Sequence, residues 1–322
     1  MIDFSLFYKT KHHPDHTWHE NYSWDIFLSA YNINERVQFV FDRVNAKKKY
    51  WIIHPEYGFS VTECPTNHPV FTAKSSDEAL CINELFNELN VSLTEISLCV
   101  DITGLMRPHI MFLIRYLAEL GVRKLDVLYS EPAQYVSREK TTFAKGRVTS
   151  VRQVAGYAGH HVPSSGLNDL LIIASGYEHE LIKHVADSKE DARKIQIFGF
   201  PSLQADFYQE NVLRAAKAAE AIGVYAEEPV FAPANDPFVT ASILRDLIDR
   251  ERIKRKAENV YLSPLATKPQ ALGFALYYLY DAKDQSVSII YPFTNQYERD
   301  TAVGISKIWR YCVELPTGPS TS

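Results

Sequence analysis

The sequence predicts an α/β protein, a Rossmann-like, mainly parallel sheet with helices on both faces. Two observations carry the prediction. Short apolar runs of β type alternate with amphipathic helical stretches, the pattern of a parallel sheet covered on both sides. Several runs also end in a polar or glycine-containing cluster with a helix behind it, at residues 97–108, 170–178 and 260–269. Open α/β sheets collect ligand-binding groups at these strand ends.

The elements follow in order. Residues 1–22 are polar and aromatic, carry His12, His13, His16 and His19, and read as a surface arm. No cysteine or tightly spaced carboxylate joins those histidines to make a metal site. Residues 24–30 (WDIFLSA) read as the first strand, and 34–44 as a helix with Val37, Val40, Phe41 and Val44 on one face. Residues 50–54 (YWIIH) give the second strand, and a loop with Pro55, Gly58, Pro65 and Pro69 follows. Ser76 or Asp77 caps a helix running to Leu89. Residues 96–102 are the third strand. Pro108 suits the first turn of the next helix, which stops at Gly121. Residues 124–130 are the fourth strand.

From 131 to 168 the rhythm breaks. Residues 148–154 alternate like a strand, and Gly156, Gly159, Pro163 and Gly166 follow. The expectation is a hairpin or flap inserted in the sheet, since a structureless loop of that length is uncommon. Strands are then expected at 170–175 and 194–199, with helices at 178–186 and 205–221 and an extended stretch at 224–231. Asn235, Asp236 and Pro237 open a helix to Arg255. Strands at 259–263 and 286–291 flank a helix at 269–281. A last helix near 297–307, a strand at 309–315 and a frayed tail at 318–322 finish the chain. Residues 23–317 are read as one Rossmann-like domain, with two pseudo-halves meeting near residue 170.

The chain has 322 residues, 46% apolar and 23% charged, which is ordinary for a folded protein with a large core. A net charge of −5 gives no global pull toward nucleic acid or anionic membrane. The sequence contains no apolar run long enough to span a bilayer, and no secretory leader is expected. Cys64, Cys81, Cys99 and Cys312 show no paired spacing, so neither a zinc site nor a disulfide framework is expected. A cytoplasmic setting without metal or cofactor is the simplest reading. The 19 tyrosines read mainly as core residues. Walker A, GxGxxG, HExxH and GxSxG patterns are missing, which argues against an NTPase, a typical dehydrogenase, a zinc hydrolase or a serine hydrolase.

Residues 101–108 place a carboxylate (Asp101), a hydroxyl (Thr103), a flexible backbone (Gly104) and a guanidinium (Arg107) at one strand-to-helix turn. Such a turn suits an anion. The structural alternative is that Asp101 or Thr103 caps the helix and Arg107 pairs with Asp101. Ser263, Thr267 and Lys268 form a second such turn, against the alternative of a proline-stiffened turn with a solvated lysine. Its likeness to the first (Thr, then a cation, then Pro, then an apolar helix) suggests two halves facing one ligand.

Ser175, Gly176 and Glu178 form a third cluster. Glu178 suits a ribose hydroxyl or acid/base work at a glycosidic centre, or simply the acidic first turn of a helix. Asn32 and Arg36 close the first strand. A basic flap carries Arg138, Lys140, Lys145, Arg147 and Arg152, read mainly as a solvated surface. The pair His160 and His161 lies in a glycine-rich loop.

Asp101-Ile102-Thr103-Gly104, followed by Arg107, Pro108 and an apolar helix, resembles the signature of CARF domains, the CRISPR-associated Rossmann-fold sensors. The resemblance covers residues 96–130. It implies a Rossmann-like sheet that recognises nucleotides, often cyclic oligoadenylates, and usually dimerises. By that match Asp101, Thr103, Gly104 and Arg107 are the carried-over candidates. Leu105 and Met106 replace the second glycine and threonine of the family pattern, and no attached effector is recognisable. Residues 24–29 also look faintly like the start of a TIR domain.

The expectation is a nucleotide-sensing protein, which the CARF resemblance sets in prokaryotic antiviral defence, with a nucleotide or phosphorylated small ligand and a homo-oligomeric or complex-bound state. The alternatives are an enzyme on a nucleotide or sugar-phosphate, with Glu178 or Asp101 as the working carboxylate, and a non-catalytic assembly subunit.

Overall fold

The computed structural model describes residues 2–135, 144–164, 166–204, 207–217, 222–223 and 227–316. Its first strands are β1 (Lys9–His12), β2 (Trp24–Ala30), β3 (Ala46–Ile53), β4 (Val70–Thr72), β5 (Leu98–Asp101) and β6 (Lys124–Tyr135). Among them lie α1 (Glu35–Arg43), α2 (Glu78–Leu89) and α3 (Arg107–Glu119). There follow β7 (Ala144–Gln153), β8 (Leu170–Ser175), α4 (His179–Asp187), β9 (Arg193–Gly199), α5 (Phe207–Lys217) and β10 (Val230–Ala232). The chain closes with α6 (Pro237–Arg255), β11 (Val260–Pro264), α7 (Lys268–Tyr277), β12 (Val287–Tyr297) and β13 (Ala302–Glu314).

The chain divides into two compact units. The first comprises Leu6–Phe143 and Gln296–Ser322, and the second Met1–Ser5 and Ala144–Asn295. The divisions thus fall near residues 143 and 295, where the sequence reading placed a meeting of pseudo-halves near 170. Each unit holds its own mostly parallel sheet, and together they make an α/β, Rossmann-like fold.

In the first unit the strand order is β1-β13-β6-β5-β2-β3-β4. The strands from β6 to β4 run parallel, and β13 and β1 add to the β6 edge antiparallel. The chain starts at β2, steps outward to β3 and β4, and restarts on the other side with β5 and β6. Every residue of β5 is buried, as expected for a strand covered on both faces. Phe27, Val37, Val40, Phe41, Trp51 and Leu128 share one core, with Phe41 and Trp51 stacked at 3.5 Å. Local chemistry sets the helix ends. The Asp77 carboxylate accepts the Ala79 and Leu80 amides at the start of α2. Gly121, at φ +80°, closes α3.

The second unit has the order β10-β9-β8-β11-β12-β7. The five strands from β10 to β12 are parallel, and all of β8 and β11 is buried. Asp236 caps α6, and a Thr267–Gln270 capping box opens α7. Numbered within each unit, the five parallel strands of both sheets take the order 3-2-1-4-5. The two units are therefore topological repeats, although no sequence repeat is visible.

Two sequence expectations are corrected. Residues 297–307 do not form a helix: β12 runs to Tyr297 and β13 begins at Ala302. Pairing of β13 with β6 overrides the local pattern. The break at 131–168 is not a single inserted hairpin among the described residues. Instead β6 extends to Tyr135 beside β13, and β7 forms the edge of the other sheet beside β12. Arg138 and Lys140 lie outside the described residues, as do the ends of the expected 205–221 helix and the tail at 318–322. The N-terminal segment carries regular structure. β1 pairs with β13, Trp18 is buried against His12, and Phe4 packs edge-on against Tyr280.

No helix among the described residues is long and apolar enough to cross a membrane.

Candidate functional site

In an open α/β sheet the crevice forms where the strand order reverses, outside the carboxyl ends of the two strands that diverge. In the first unit those strands are β2 and β5. Ser29 and Asp101 are register partners there, and the Ser29 hydroxyl donates to Asp101 Oδ2 at 3.1 Å. Asp101 Oδ1 accepts the Thr103 amide at 2.9 Å and the Thr103 hydroxyl at 2.5 Å. Thr103 Oγ1 in turn accepts the Ser130 amide at 3.0 Å. One buried carboxylate thus ties together the ends of β2, β5 and β6. Neither Asp101 nor Thr103 caps α3, whose N-cap position is Met106 without a side-chain bond.

Gly104 follows from the same geometry. A Cβ built there would lie 2.1 Å from the Ala30 carbonyl oxygen at the end of β2. Its own carbonyl accepts the Tyr57 hydroxyl at 3.1 Å. Leu105 and Met106, where the CARF pattern has Gly and Thr, are buried apolar side chains. The turn therefore narrows before Arg107 and Pro108 start α3.

Two guanidiniums flank this turn. Arg36, on α1, is only 8% exposed; its Nη1 donates to the Ser130 carbonyl at 2.9 Å and its Nε to Asn34 Oδ1 at 3.1 Å. Arg107 opens α3 and is half-buried. Both act electrostatically on the same three phenols. Burial pushes the Tyr57 hydroxyl up to about 12, against the pull of an Asn32 hydrogen bond and of Arg107 and Arg36. Burial also raises Tyr129 and Tyr135, again with Arg36 and Arg107 pulling the other way. Asn32, buried, also accepts the Asn34 amide, which fixes the approach to α1. Glu131, buried, accepts Trp309 Nε1 at 2.6 Å and faces Lys307 at 3.6 Å. The result is a tyrosine-rich strand edge that carries two guanidiniums, Arg36 and Arg107, together with the buried carboxyls of Asp101 and Glu131.

The second unit repeats the junction at β8 and β11. A Cβ on Gly176 would lie 2.8 Å from the Leu265 carbonyl. Here the glycine follows the first strand and meets the turn after the fourth, the reverse of Gly104 and Ala30. Ser175 Oγ, buried, accepts Gln196 Nε2 at 2.8 Å. Thr267 donates to the Ala234 carbonyl at 2.5 Å and shares the capping box with Gln270, leaving Lys268 at the first position of α7. Ser263 Oγ is buried with no hydrogen-bond partner among the described residues. Glu178 is buried, and its Oε1 accepts the Ala144 amide at 2.6 Å. That carboxylate joins the start of α4 to the start of β7.

The candidates thus fall into two groups. Asn32, Arg36, Asp101, Thr103, Gly104 and Arg107 gather at the switch point of the first unit, and Ser175, Gly176, Glu178, Ser263, Thr267 and Lys268 at that of the second. His161 stacks on Tyr261 and bonds Ser288 at 2.6 Å. Arg152 covers the Phe293 ring. Sequence reading missed Tyr57, Tyr129 and Tyr135, because only tertiary contact separates them from core tyrosines. A cavity of about 650 Å³ lies at the opposite, amino-terminal edge of the first sheet, lined by Tyr22, Trp24, Ser97, Asp126 and Arg310 among others. There Asp126 Oδ2 accepts Trp24 Nε1 at 2.8 Å and Arg310 at 2.9 Å, while its Oδ1 is buried without a hydrogen-bond partner among the described residues.

Fold and site together define a Rossmann-like α/β protein with paired switch-point turns. No family model matches the chain, and no curated protein matches it.

Proposed function

We propose that the chain is a nucleotide-binding sensor whose ligand lies outside the carboxyl ends of β2 and β5. The observation that carries this reading is the convergence of Arg36 and Arg107 on Tyr57, Tyr129 and Tyr135 at a topological switch point. Arg107 meets phosphate oxygens, and Tyr135, the part-exposed one of the three tyrosines, offers its ring to a base or ribose. The buried Asp101–Thr103–Ser130 chain holds the turn instead of contacting ligand. The CARF resemblance agrees with this reading and favours a cyclic oligoadenylate within an antiviral setting. Sensing is preferred over catalysis because the two carboxylates proposed for chemistry, Asp101 and Glu178, are buried and already accept protein hydrogen bonds.

The test is calorimetric titration and thermal shift with cyclic oligoadenylates, mononucleotides and NAD, with product analysis alongside. A saturable shift without turnover, weakened in Arg107→Ala, supports sensing. Turnover lost in Glu178→Gln replaces this reading with the enzyme, and no saturable shift for any of these ligands overturns it. Light scattering on the same samples reads the oligomeric state that the resemblance implies.

A further inference from the structure

His54, Cys81 and His109 come from three separate elements of the first unit and meet in its interior. His54 directly follows β3, Cys81 lies on α2, and His109 lies on the first turn of α3. All three are buried, and one ligating atom from each lies within 4.8 Å of the other two. The imidazoles approach with centroids 4.4 Å apart and planes at 69°. A tetrahedral zinc ion holds nitrogen at about 2.0 Å and thiolate sulfur at about 2.3 Å, so its ligand atoms stand about 3.5 Å apart. The observed triangle needs only a small closure to reach that spacing.

A second observation points the same way. Glu56 follows His54 by two residues and is 7% exposed. Its Oε2 is buried and accepts no hydrogen bond among the described residues. An anionic oxygen in such a place is costly without a cation.

We propose that His54, Cys81 and His109 bind a zinc-class divalent cation, with Glu56 supplying the balancing negative charge beside it. One thiolate and the Glu56 carboxylate balance the two charges of the cation, and the buried Glu78 carboxyl lies close enough to act on Glu56. Two imidazoles and a thiolate form a donor set of the softness that zinc takes over magnesium or calcium. Binding expels the thiol proton to solvent. The site would pin α2 and α3 to the turn after β3, next to Tyr57, and does not depend on the nucleotide reading.

The test uses the full chain, stripped with chelator and titrated with zinc alone or with cobalt as a spectroscopic stand-in. The expected result is one equivalent bound, a cobalt–thiolate charge-transfer band, and a raised thermal midpoint. Cys81→Ala removes the band and lowers affinity by about 100-fold or more, and Glu56→Gln lowers it about tenfold. Cys64→Ala, outside the cluster, leaves both unchanged. A folded wild-type chain that gives no cobalt–thiolate band, or a band that survives Cys81→Ala, overturns the assignment without depending on whether any variant folds.

Discussion

The Thr103 hydroxyl donates to Asp101 at 2.5 Å while accepting the Ser130 amide at 3.0 Å, so a single side chain relays between β5 and β6. The Ser29 hydroxyl bonds the same carboxylate from β2. In the low-dielectric interior, hydrogen bonds to an ionised group are stronger than neutral ones, and losing one leaves a costly orphan. The Asp-x-Thr-Gly stretch therefore reads first as the clamp that shapes the switch-point turn.

Thr103→Val keeps the volume but loses both bonds, stranding the Ser130 amide. A destabilisation of about 2–4 kcal/mol is expected by urea unfolding. Thr103→Ser, which keeps the hydroxyl, should stay within about 1 kcal/mol of the parent. Equal losses in the two variants would mean that the methyl group, and not the hydrogen bonds, holds the turn.

Gly104→Ala drives a methyl group to 2.1 Å from a backbone oxygen of β2, a contact no rotamer relieves. The strands must part, and a loss of about 3 kcal/mol or more is expected. Gly223→Ala has open space around it but a φ of +61°, so only the backbone strain of about 1 kcal/mol applies. Thermal melts of the two variants separate packing from conformation. Similar melting temperatures would refute the close-approach account of Gly104.

Local signals made most of the fold legible. The run at 24–30 and the run at 170–175 coincide with β2 and β8, since an apolar stretch bounded by turn residues leaves little choice. The caps at Asp77 and Asp236 were readable for the same reason, whereas Thr267, read as a ligand contact, also caps α7. Residues 302–307 failed because Val303 and Ile305 gain their strand form from β6, a partner more than 160 residues away. The second sheet was hidden by the same kind of pairing. At the site, Asp101 to Arg107 announced itself by spacing. Tyr57 and the His54–Cys81–His109 group did not, because their members come from separate elements and share no motif. Arg36 was legible only as a residue near a strand end, and its bond to Ser130 needed coordinates.

Arg36 and Arg107 face the same tyrosines but carry different structural loads. Arg36 donates to Ser130 and Asn34 from a buried position, so Arg36→Ala should destabilise by about 2–3 kcal/mol besides weakening any ligand. Arg107 is half-buried at the start of a helix. Arg107→Ala should lower affinity for a phosphorylated ligand at least about tenfold. Unfolding and calorimetry on both variants give the comparison. An Arg107→Ala protein with unchanged affinity would remove this residue from the binding edge.

Asp25 gives a pH signature remote from that edge. Lys47 lies 2.6 Å from its carboxylate, and the Ser97 amide and hydroxyl both donate to it at 2.8 Å. Lys47 first, then Ser97, holds the carboxyl well below its ordinary value of 3.8. The folded state therefore binds the proton more weakly than the unfolded state. The sign follows: this contribution is complete above the unfolded value and is lost as pH falls through and below it. Asp25→Asn should be modestly less stable than the parent at pH 7, with the gap narrowing below pH 3.8. Added salt should shrink the Lys47 part at neutral pH, because that ion pair is largely exposed. Urea midpoints for parent and variant across pH 2.5 to 7, at low and high salt, provide the check. A gap that stayed constant with pH would assign the loss to the amide's geometry instead of the carboxylate's charge.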